Sequence, residues 1–407
     1  MTESQRKTLR IGEIIRVEIE KVAHGGHFIA RYEGAVIFVR HAIPGEIVEV
    51  EITGIEKSFA RADVVAVIEP SSARVIPPCK YSGSCGGCDF QHIDIATQRQ
   101  LKSDVIAEQF ARISKMEIDV EVEEISAPLH WRSRYAASTN EQGVAGFKAS
   151  RTNRVIPIPT CPILIPEIDF PTLPSERFLG NQRVEVSIAS DGERTIATSA
   201  QREGRTAERA KPEIIEGPRE LFYQVDGFEY RVAQSSFWQS NINAPSVLVD
   251  AVLNFASLKA GDHILDLYGG VGLFAGAALN KIGAGGRIDI VEGSASATSD
   301  AAVNFENISN VHIHTGDVAR EIKKFKRADV IILDPPRTGA GKEVIERIAA
   351  LGARAIVYVA CDPAALARDT TYLNEIGYHL ENLRAFDLFP MTHHIESVAL
   401  YSLSKVS

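Results

Sequence analysis

Residues 264–275 read ILDLYGGVGLFA, a short apolar run, a glycine-rich turn and a second apolar run. This order is typical of a buried β-strand followed by a helix. Gly269, Gly270 and Gly272 in the turn allow the backbone to approach a ligand closely at the carboxyl end of the strand. A glycine turn of this kind is equally compatible with a nicotinamide dinucleotide, so it predicts a ligand-binding sheet edge without naming the ligand.

The residues around this turn alternate between helical and strand patterns. Pro245 opens a predicted helix, and further strands are predicted in RIDIVE, ADVIILD, ARAIVYVA and SVALYSL. Alternating β and α elements indicate a parallel, doubly wound sheet. The sequence therefore predicts a C-terminal Rossmann-like α/β domain over residues 236–407.

The N-terminal part has a different rhythm. Residues 10–68 contain short runs rich in β-branched residues, separated by glycine-containing turns, which predicts a small OB-like β-barrel. A helix is expected over residues 96–114, and the rest of 68–235 reads as a central β-rich region. The fold class is therefore α/β with an N-terminal barrel.

Composition narrows the class of protein. The chain has 407 residues, 45% of them hydrophobic, and a net charge of −9, which argues against nonspecific coating of nucleic acid but allows one local basic groove. The sequence contains no apolar run long enough to span a membrane, and MTESQRKTLR does not resemble a secretory signal. We expect a cytoplasmic protein with no membrane partner.

Four of the five cysteines form one pattern. Cys79, Cys85 and Cys88 lie close together in a glycine-containing segment, and Cys161 lies further along the chain. Four thiolates suit either a [4Fe–4S] cluster or a structural zinc ion, and the spacing lacks the paired Cys-x-x-Cys motifs of zinc ribbons. Reduced structural thiols are the alternative.

Polar side chains follow several of the predicted strands. Glu292 ends RIDIVE, where an acid can accept hydrogen bonds from ribose hydroxyls. Asp334 precedes two prolines, a pattern that favours a methyltransferase over a dehydrogenase. Cys361 directly follows ARAIVYVA and can act as a nucleophile, although a buried structural thiol is the commoner role. Glu396 beside the last strand is a candidate proton acceptor, whereas the neighbouring His393 is not expected to bind a metal.

Taken in order, these motifs closely resemble those of the RNA uridine-5-methyltransferase family. The resemblance covers nearly the whole chain and rests on CKYSGSCGGCDFQHI, FWQSN, DLYGGVG, LDPPRTG, VYVACDPAALARD and FPMTHHIESV. It implies a TRAM domain at residues 8–67, a central domain with an iron–sulfur loop at 68–235 and a methyltransferase domain at 236–407. The implied partner is an RNA hairpin of ribosomal or transfer RNA, bound by a monomer that does not act on DNA.

The resemblance also implies roles for individual residues. Cys361 would be the nucleophile that adds to carbon 6 of uracil, and Glu396 would be the base. The implied contacts to S-adenosylmethionine are Gln239, Tyr268, Glu292, Asp317 and Asp334. The implied ligands of a [4Fe–4S] cluster are Cys79, Cys85, Cys88 and Cys161. A catalytically weak or inactive RNA-binding iron–sulfur protein of the same fold is the alternative function.

Some positions depart from the family pattern or stay open. The family usually has Asn after the nucleophile, and here Asp362 adds a carboxylate that is expected to raise the pKa of the thiol. Gly269 stands where the family often has Cys. Asn241 in FWQSN could face the cofactor or the base. Side chains that could hold RNA, or equally could form a solvated surface, are Arg132, Arg134, Arg151 and Arg154, with Trp131, Tyr135 and Phe147 among them.

Overall fold

The computed structural model describes residues 9–150, 152–168, 178–200 and 212–403. Residues 14–69 form a closed barrel in the order β1-β2-β3-β5-β4. Its strands are β1 (Ile14–Ala23), β2 (His27–Tyr32), β3 (Ala35–Arg40), β4 (Ile47–Ile55) and β5 (Phe59–Glu69). Ile15, Val17 and Ile19 are buried while their neighbours in β1 are exposed, because alternate side chains of a strand point to opposite faces. The predicted barrel is confirmed, although β3 and β5 pair in parallel.

A helix and a short strand connect the barrel to the rest of the chain. The helix α1 (Ile95–Gln109) continues into a π-helical turn at Phe110–Ser114, which confirms the helix expected over 96–114. Asp94 caps it by accepting a hydrogen bond from the backbone N–H of Thr97. The strand β6 (Val122–Glu124) then joins the edge of the C-terminal sheet. Residues 95–124 therefore pack with the C-terminal domain.

The central region is mainly antiparallel. One sheet has the order β12-β11-β10-β7-β8-β9, and a separate hairpin pairs β13 with β14. These strands are β7 (Arg134–Thr139), β8 (Ala145–Lys148), β9 (Val155–Pro157), β10 (Gln182–Ile188), β11 (Arg194–Ala200), β12 (Glu213–Glu216), β13 (Glu220–Val225) and β14 (Phe228–Ala233). A 3₁₀ turn at Pro166–Ile168 packs its last residue into this core.

The C-terminal domain is the predicted Rossmann-like sheet with helices on both faces. Its strands are β15 (His263–Leu267), β16 (Arg287–Glu292), β17 (Val311–Thr315), β18 (Val330–Leu333), β19 (Ala355–Ala360), β20 (Tyr378–Asp387) and β21 (Glu396–Leu403). Its helices are α2 (Ala244–Ala256), α3 (Leu273–Ile282), α4 (Ala295–Asn304), α5 (Val318–Glu321), α6 (Gly341–Ala350) and α7 (Pro363–Glu375). Every residue of β18 and β19 is buried, as expected for strands covered by helices on both sides.

The sheet departs from the expected parallel pattern at its end. Its order is β17-β16-β15-β18-β19-β21-β20-β6, and β21 runs antiparallel to both neighbours. The reason is that β20 and β21 are joined by a loop, residues 388–395, rather than by a crossover helix. The first residue of β21 therefore lies at the same edge as the last residues of β15, β16, β18 and β19.

No helix among the described residues is long and apolar enough to cross a membrane.

Candidate active site

Side chains from five strands line the carboxyl edge of the parallel strands. Tyr268 follows β15, Glu292 ends β16, Asp334 follows β18, Cys361 follows β19, and Glu396 begins β21. The strand order reverses between β15 and β18, which is where doubly wound sheets open a ligand crevice. The edge thus divides into a half with the glycine turn and a half with the cysteine.

The glycine turn is shaped by close packing on one side and open space on the other. A Cβ atom on Gly269 would come within 2.8 Å of Ile290 Cγ2, so no larger residue fits there without movement. Gly270 has φ +57°, and a Cβ atom added to it would meet no atom within 4 Å. Its N–H donates a hydrogen bond to Glu292 Oε2 at 3.1 Å. The turn therefore leaves open space beside Glu292, the acid that ends the next strand.

The carboxyl groups near this open space have raised pKa values. Asp266 is fully buried and accepts a hydrogen bond from the N–H of Ala275 at 3.2 Å. Burial, followed by the charges of Asp334 and Glu292, raises the pKa of Asp266 to about 7. Its second carboxylate oxygen has no partner within the described part of the chain. A cluster of acids at a ligand-facing edge indicates a functional site.

Tyr268 and Asp317 border the same half of the edge. Tyr268 has φ +60°, an uncommon conformation for a side chain, and its N–H donates to the carbonyl of Val291 at 2.8 Å. Asp317 directly precedes α5 and caps it, because its side chain accepts a hydrogen bond from the N–H of Arg320. Burial and the nearby charge of Asp317 raise the pKa of the Tyr268 hydroxyl to about 12. Polar groups from three strands therefore surround the glycine turn.

The other half of the edge brings a thiol next to two carboxyl groups. In the pairing of β19 with β21, Ala360 lies opposite Ser397, which sets Cys361 and Glu396 on adjacent strands. Burial, then the charges of Glu396 and Asp334, raises the pKa of the Cys361 thiol to about 12. Burial and Asp334 likewise raise the pKa of Glu396 well above its usual value. Both shifts favour the protonated forms of the two groups.

Arg337 is the cation that opposes these effects, and the sequence did not single it out. It lies on the loop after Asp334, is exposed, and comes within 3.4 Å of His394 Nδ1 through its terminal nitrogen. Its charge lowers the pKa of both Cys361 and Glu396. The predictive signal was present in LDPPRTG, because the arginine is three residues beyond a strand-end acid.

The loop that precedes Glu396 is held by the cysteine-containing segment. Asp89 Oδ1 accepts a hydrogen bond from the N–H of His393 at 2.9 Å, and its other oxygen pairs with the ring of that histidine. The N–H of Phe90 donates to the carbonyl of Met391 at 3.0 Å, and Gln98 Oε1 accepts from the N–H of Met391 at 2.9 Å. The loop carrying the candidate base is therefore attached to the segment that follows Cys88.

The four predicted ligand cysteines are neighbours in space. Each is partly buried, and charge on Cys161 would raise the pKa of Cys88 in addition to the larger effect of burial. Cys79 and Cys85 act on Cys161 in the same way, again after burial. Within the described ranges, however, no three His, Cys, Asp or Glu side chains are arranged to hold one metal ion. The donor set fits an iron–sulfur or zinc site, and ligation itself remains a prediction.

Asn241 and Gln239 of FWQSN are both buried. Asn241 is fully buried, where its amide donates to the carbonyl of Leu388 at 2.8 Å and its oxygen accepts from the N–H of Asn243. Its polar groups are satisfied within the fold, so they do not face a ligand. Gln239 is 8% exposed and lines a separate cavity of about 40 Å³ with Asn241. Its cofactor contact remains a prediction.

The candidate RNA-binding side chains also divide. Trp131 and Tyr135 are 1% and 5% exposed and pack in apolar clusters, so they do not present faces for stacking on bases. The guanidinium of Arg134 donates to the carbonyl of Ser236 at 3.0 Å. Arg132, Arg134 and the exposed Phe237 border a groove of about 610 Å³. Arg154 is exposed and Phe147 half-buried. Arg151 lies outside the described residues.

Comparisons with known proteins agree with this arrangement. The family model of tRNA (uracil-5-)-methyltransferases matches residues 218–404, and that of the TRAM domain matches residues 9–65. An RNA methyltransferase of Streptomyces avermitilis is 39% identical, over 96% of this chain and 98% of that protein. The 23S rRNA (uracil(1939)-C(5))-methyltransferase RlmD of Shewanella amazonensis is 31% identical, over 97% of each chain.

A solved structure shows the same fold. The Pyrococcus abyssi tRNA (uracil-54, C5)-methyltransferase, in complex with S-adenosyl-L-homocysteine, superposes with a TM-score of 0.73. The match covers 95% of this chain and all of that one at 22% sequence identity. The sequence relatives and the two family models show that this chain belongs to the RNA uracil-5-methyltransferase family, and the ligand-facing edge described above agrees with this.

Proposed function

We propose that this enzyme forms 5-methyluridine in RNA through a transient covalent bond between Cys361 and carbon 6 of a uracil. The single observation that carries the proposal is the placement of Cys361 and Glu396 on adjacent strands at one sheet edge. Ribosomal RNA is the first substrate to test, because the relative that is 31% identical over nearly its whole length is named as acting on 23S rRNA. A cytoplasmic monomer acting on an RNA hairpin is part of this proposal.

The chemistry follows from the weak nucleophilicity of carbon 5 in uracil. Cys361 loses its proton, and its sulfur adds to carbon 6, so that carbon 5 becomes an enolate carbon able to attack an electrophile. S-adenosylmethionine, when bound, supplies the methyl group. The Glu396 carboxylate then removes the remaining proton from carbon 5, the carbon–sulfur bond breaks, and the cysteine leaves as a thiolate. Methylated uracil and free enzyme result.

The electrostatics of the site impose a condition on this sequence of steps. A thiol whose pKa is about 12 is protonated at neutral pH, so attack needs a proton acceptor or a charge that stabilises the thiolate. Asp334, with a pKa of about 7 raised first by burial and then by Glu292, is a suitable acceptor. Arg337 lowers the pKa of the thiol and acts in the same direction. We therefore expect the reaction rate to rise with pH through neutrality.

The other half of the edge is the proposed site of S-adenosylmethionine. The space beside Gly270 is open, so a ligand can approach the protein backbone there. Glu292 accepts a hydrogen bond from the N–H of Gly270 and can accept others from ribose hydroxyls. Tyr268 and Asp317 border this space, and Asp334 lies between it and the cysteine. Gln239 is the remaining proposed contact, and it would have to reach this space from its buried position.

The four cysteines are proposed to bind a [4Fe–4S] cluster. Support comes from the donor chemistry and from the mutual proximity of the thiols. Asp89, which directly follows the proposed ligand Cys88, accepts hydrogen bonds from the His393 loop, so a bound cluster would help to position that loop. Replacing Cys88 with Ser is expected to remove bound iron, measured by colorimetric iron assay, and to lower methylation while Cys361 still reacts with thiol reagents. Full iron content in Cys88→Ser would exclude this ligand.

A covalent trapping experiment tests the nucleophile. RNA containing 5-fluorouridine has no proton to lose from carbon 5, so the native enzyme with S-adenosylmethionine is expected to remain attached to it in a denaturing gel. Cys361→Ala should form no adduct and no 5-methyluridine, and Glu396→Gln should accumulate an adduct even with ordinary RNA. The matched control is Glu375→Gln, which makes the same change at an exposed carboxylate at the end of α7 that lies away from Cys361. Methylation by Cys361→Ala would refute the mechanism, and RNA binding without any turnover would favour the inactive alternative.

A further inference from the structure

A turn of the N-terminal barrel packs against the active site. Residues 24–26 join β1 to β2, and Gly26 has φ +77°. A Cβ atom on Gly26 would lie 2.8 Å from His393 Nδ1 and still closer to a carboxylate oxygen of Asp89. The barrel is therefore in direct contact with the loop that leads to the candidate base, although the two segments are far apart in the sequence.

His24 in this turn reaches the residue beside the nucleophile. Its Nε2 lies 3.2 Å from Asp362 Oδ2, within hydrogen-bonding distance, and the two side chains are 39% and 22% exposed. Both line a cavity of about 170 Å³ together with Cys361. A hydrogen bond in such a partly enclosed place is less screened than one on an open surface.

The two oxygens of Asp362 have different partners. Oδ1 accepts a hydrogen bond from the N–H of Ala365 at 2.9 Å and caps the N-terminus of α7. Oδ2 lies next to the ring of His24. The negative charge of Asp362 raises the pKa of Cys361, after the larger effects of burial, Glu396 and Asp334. Burial raises the pKa of Asp362 itself, but the hydrogen bonds from His24 and Ala365 lower it, so the group is ionised.

We propose that His24 is a positioning residue for the nucleophile: its ring N–H donates a hydrogen bond to Asp362 Oδ2, which holds that carboxylate at the start of α7 and weakens its repulsion of a thiolate at Cys361. The inference rests on the proposed nucleophilic role of Cys361. It means that correct attachment of the barrel is needed for formation of the reactive thiolate. The other charged or titratable groups around the cavity and the thiol are Lys102, Asp334, Arg337, His393, His394 and Glu396.

Alkylation of Cys361 tests this without RNA or cofactor. The full chain is treated with iodoacetamide at a series of pH values, and the fraction of modified Cys361 peptide is read by mass spectrometry, separately from the other four cysteines. His24→Ala is expected to slow alkylation at pH 7.5 by about tenfold and to displace the pH profile upward, because a carboxylate that has lost this hydrogen bond more strongly disfavours a second negative charge nearby. His27→Ala is the control, since that ring packs against Phe38 instead.

Rescue separates an electrostatic role from a structural one. Replacing Asp362 with Asn removes the charge and keeps a side chain able to cap α7, so the double variant His24→Ala/Asp362→Asn should regain the native rate to within about twofold. An unchanged alkylation profile in His24→Ala, or no rescue in the double variant, would overturn the proposal. The same pH displacement is expected in kcat for methylation. If alkylation shifts as expected but the native chain neither methylates nor traps RNA, the proposed reaction fails and the His24 effect stands.

Discussion

A buried ion pair links α1 to the loop that carries the candidate base, and its removal is expected to be costly. Lys102 Nζ lies 2.6 Å from Asp387 Oδ1, with side chains only 1% and 3% exposed. The same ammonium donates to the carbonyl of Phe389 at 3.2 Å, within residues 388–395. Lys102 therefore holds both the end of β20 and the start of the loop that ends at Glu396.

Lys102→Met keeps the apolar stem and leaves the Asp387 carboxylate buried without its cation. Breaking a buried pair on one side costs about 3–5 kcal/mol of unfolding free energy. Since 1 kcal/mol corresponds to about 2–4 °C in a domain of this size, the melting temperature should fall by about 10 °C. The double variant Lys102→Met/Asp387→Asn, with neither charge present, should recover more than half of this loss, because no uncompensated charge remains buried.

Thermal unfolding of the full chain, followed by circular dichroism at pH 7.5, measures these shifts. Lys342→Met is the matched control: its ammonium lies 3.9 Å from Glu346 on an exposed helix face, with side chains 60% and 55% exposed. A pair of that kind contributes about 0.3–0.5 kcal/mol. A melting shift in Lys102→Met no larger than in Lys342→Met would refute the reasoning. So would a double variant less stable than Lys102→Met.

Two further predictions concern barrel attachment and acid stability. Gly26→Ala should lower methylation more than tenfold in a tritium-release assay while circular dichroism stays native, because its Cβ atom would overlap Asp89; unchanged activity would contradict the contact. Asp289→Asn should destabilise the protein by about 2 kcal/mol at pH 7 in urea titrations. Burial raises the pKa of Asp289, but hydrogen bonds led by His263 lower it well below its usual value, so its contribution is present above about pH 4 and lost at lower pH. A deficit that does not shrink as the pH is lowered from 4 to 2 would contradict this.

Much of the α/β domain was predictable because its signals are local. Runs such as ARAIVYVA are uniformly apolar, and such runs form strands that are buried on both faces. A polar residue directly after such a run lies at the carboxyl edge of the sheet, so the positions of Asp334 and Cys361 followed from the sequence. The glycine turn was equally readable, since positive φ at Gly270 and Gly272 matches what glycine allows.

The incorrect expectations concern side-chain direction. Trp131 and Tyr135 alternate with arginines in the sequence, a pattern shared by RNA-binding surfaces and by strands with one buried face. The aromatic side chains face the core, because burying a large ring gains more than exposing it. Asn241 was ambiguous for a similar reason: a buried amide is tolerated when its hydrogen bonds are made within the fold, and only the packing reveals those partners.

The sequence by itself determined the glycine turn, the strand-end acid and thiol, and the barrel, because each depends on residues close together in the chain. Only the tertiary structure decided how the half of the edge with the cysteine is assembled. Glu396 reaches Cys361 because β21 inserts antiparallel beside β19, and His24 reaches Asp362 because the barrel packs on that edge. These contacts join residues that are 35 positions apart in the first case and 338 in the second, and their charges act through space. The pKa of the thiol is therefore a property of the folded molecule, which no local pattern contains.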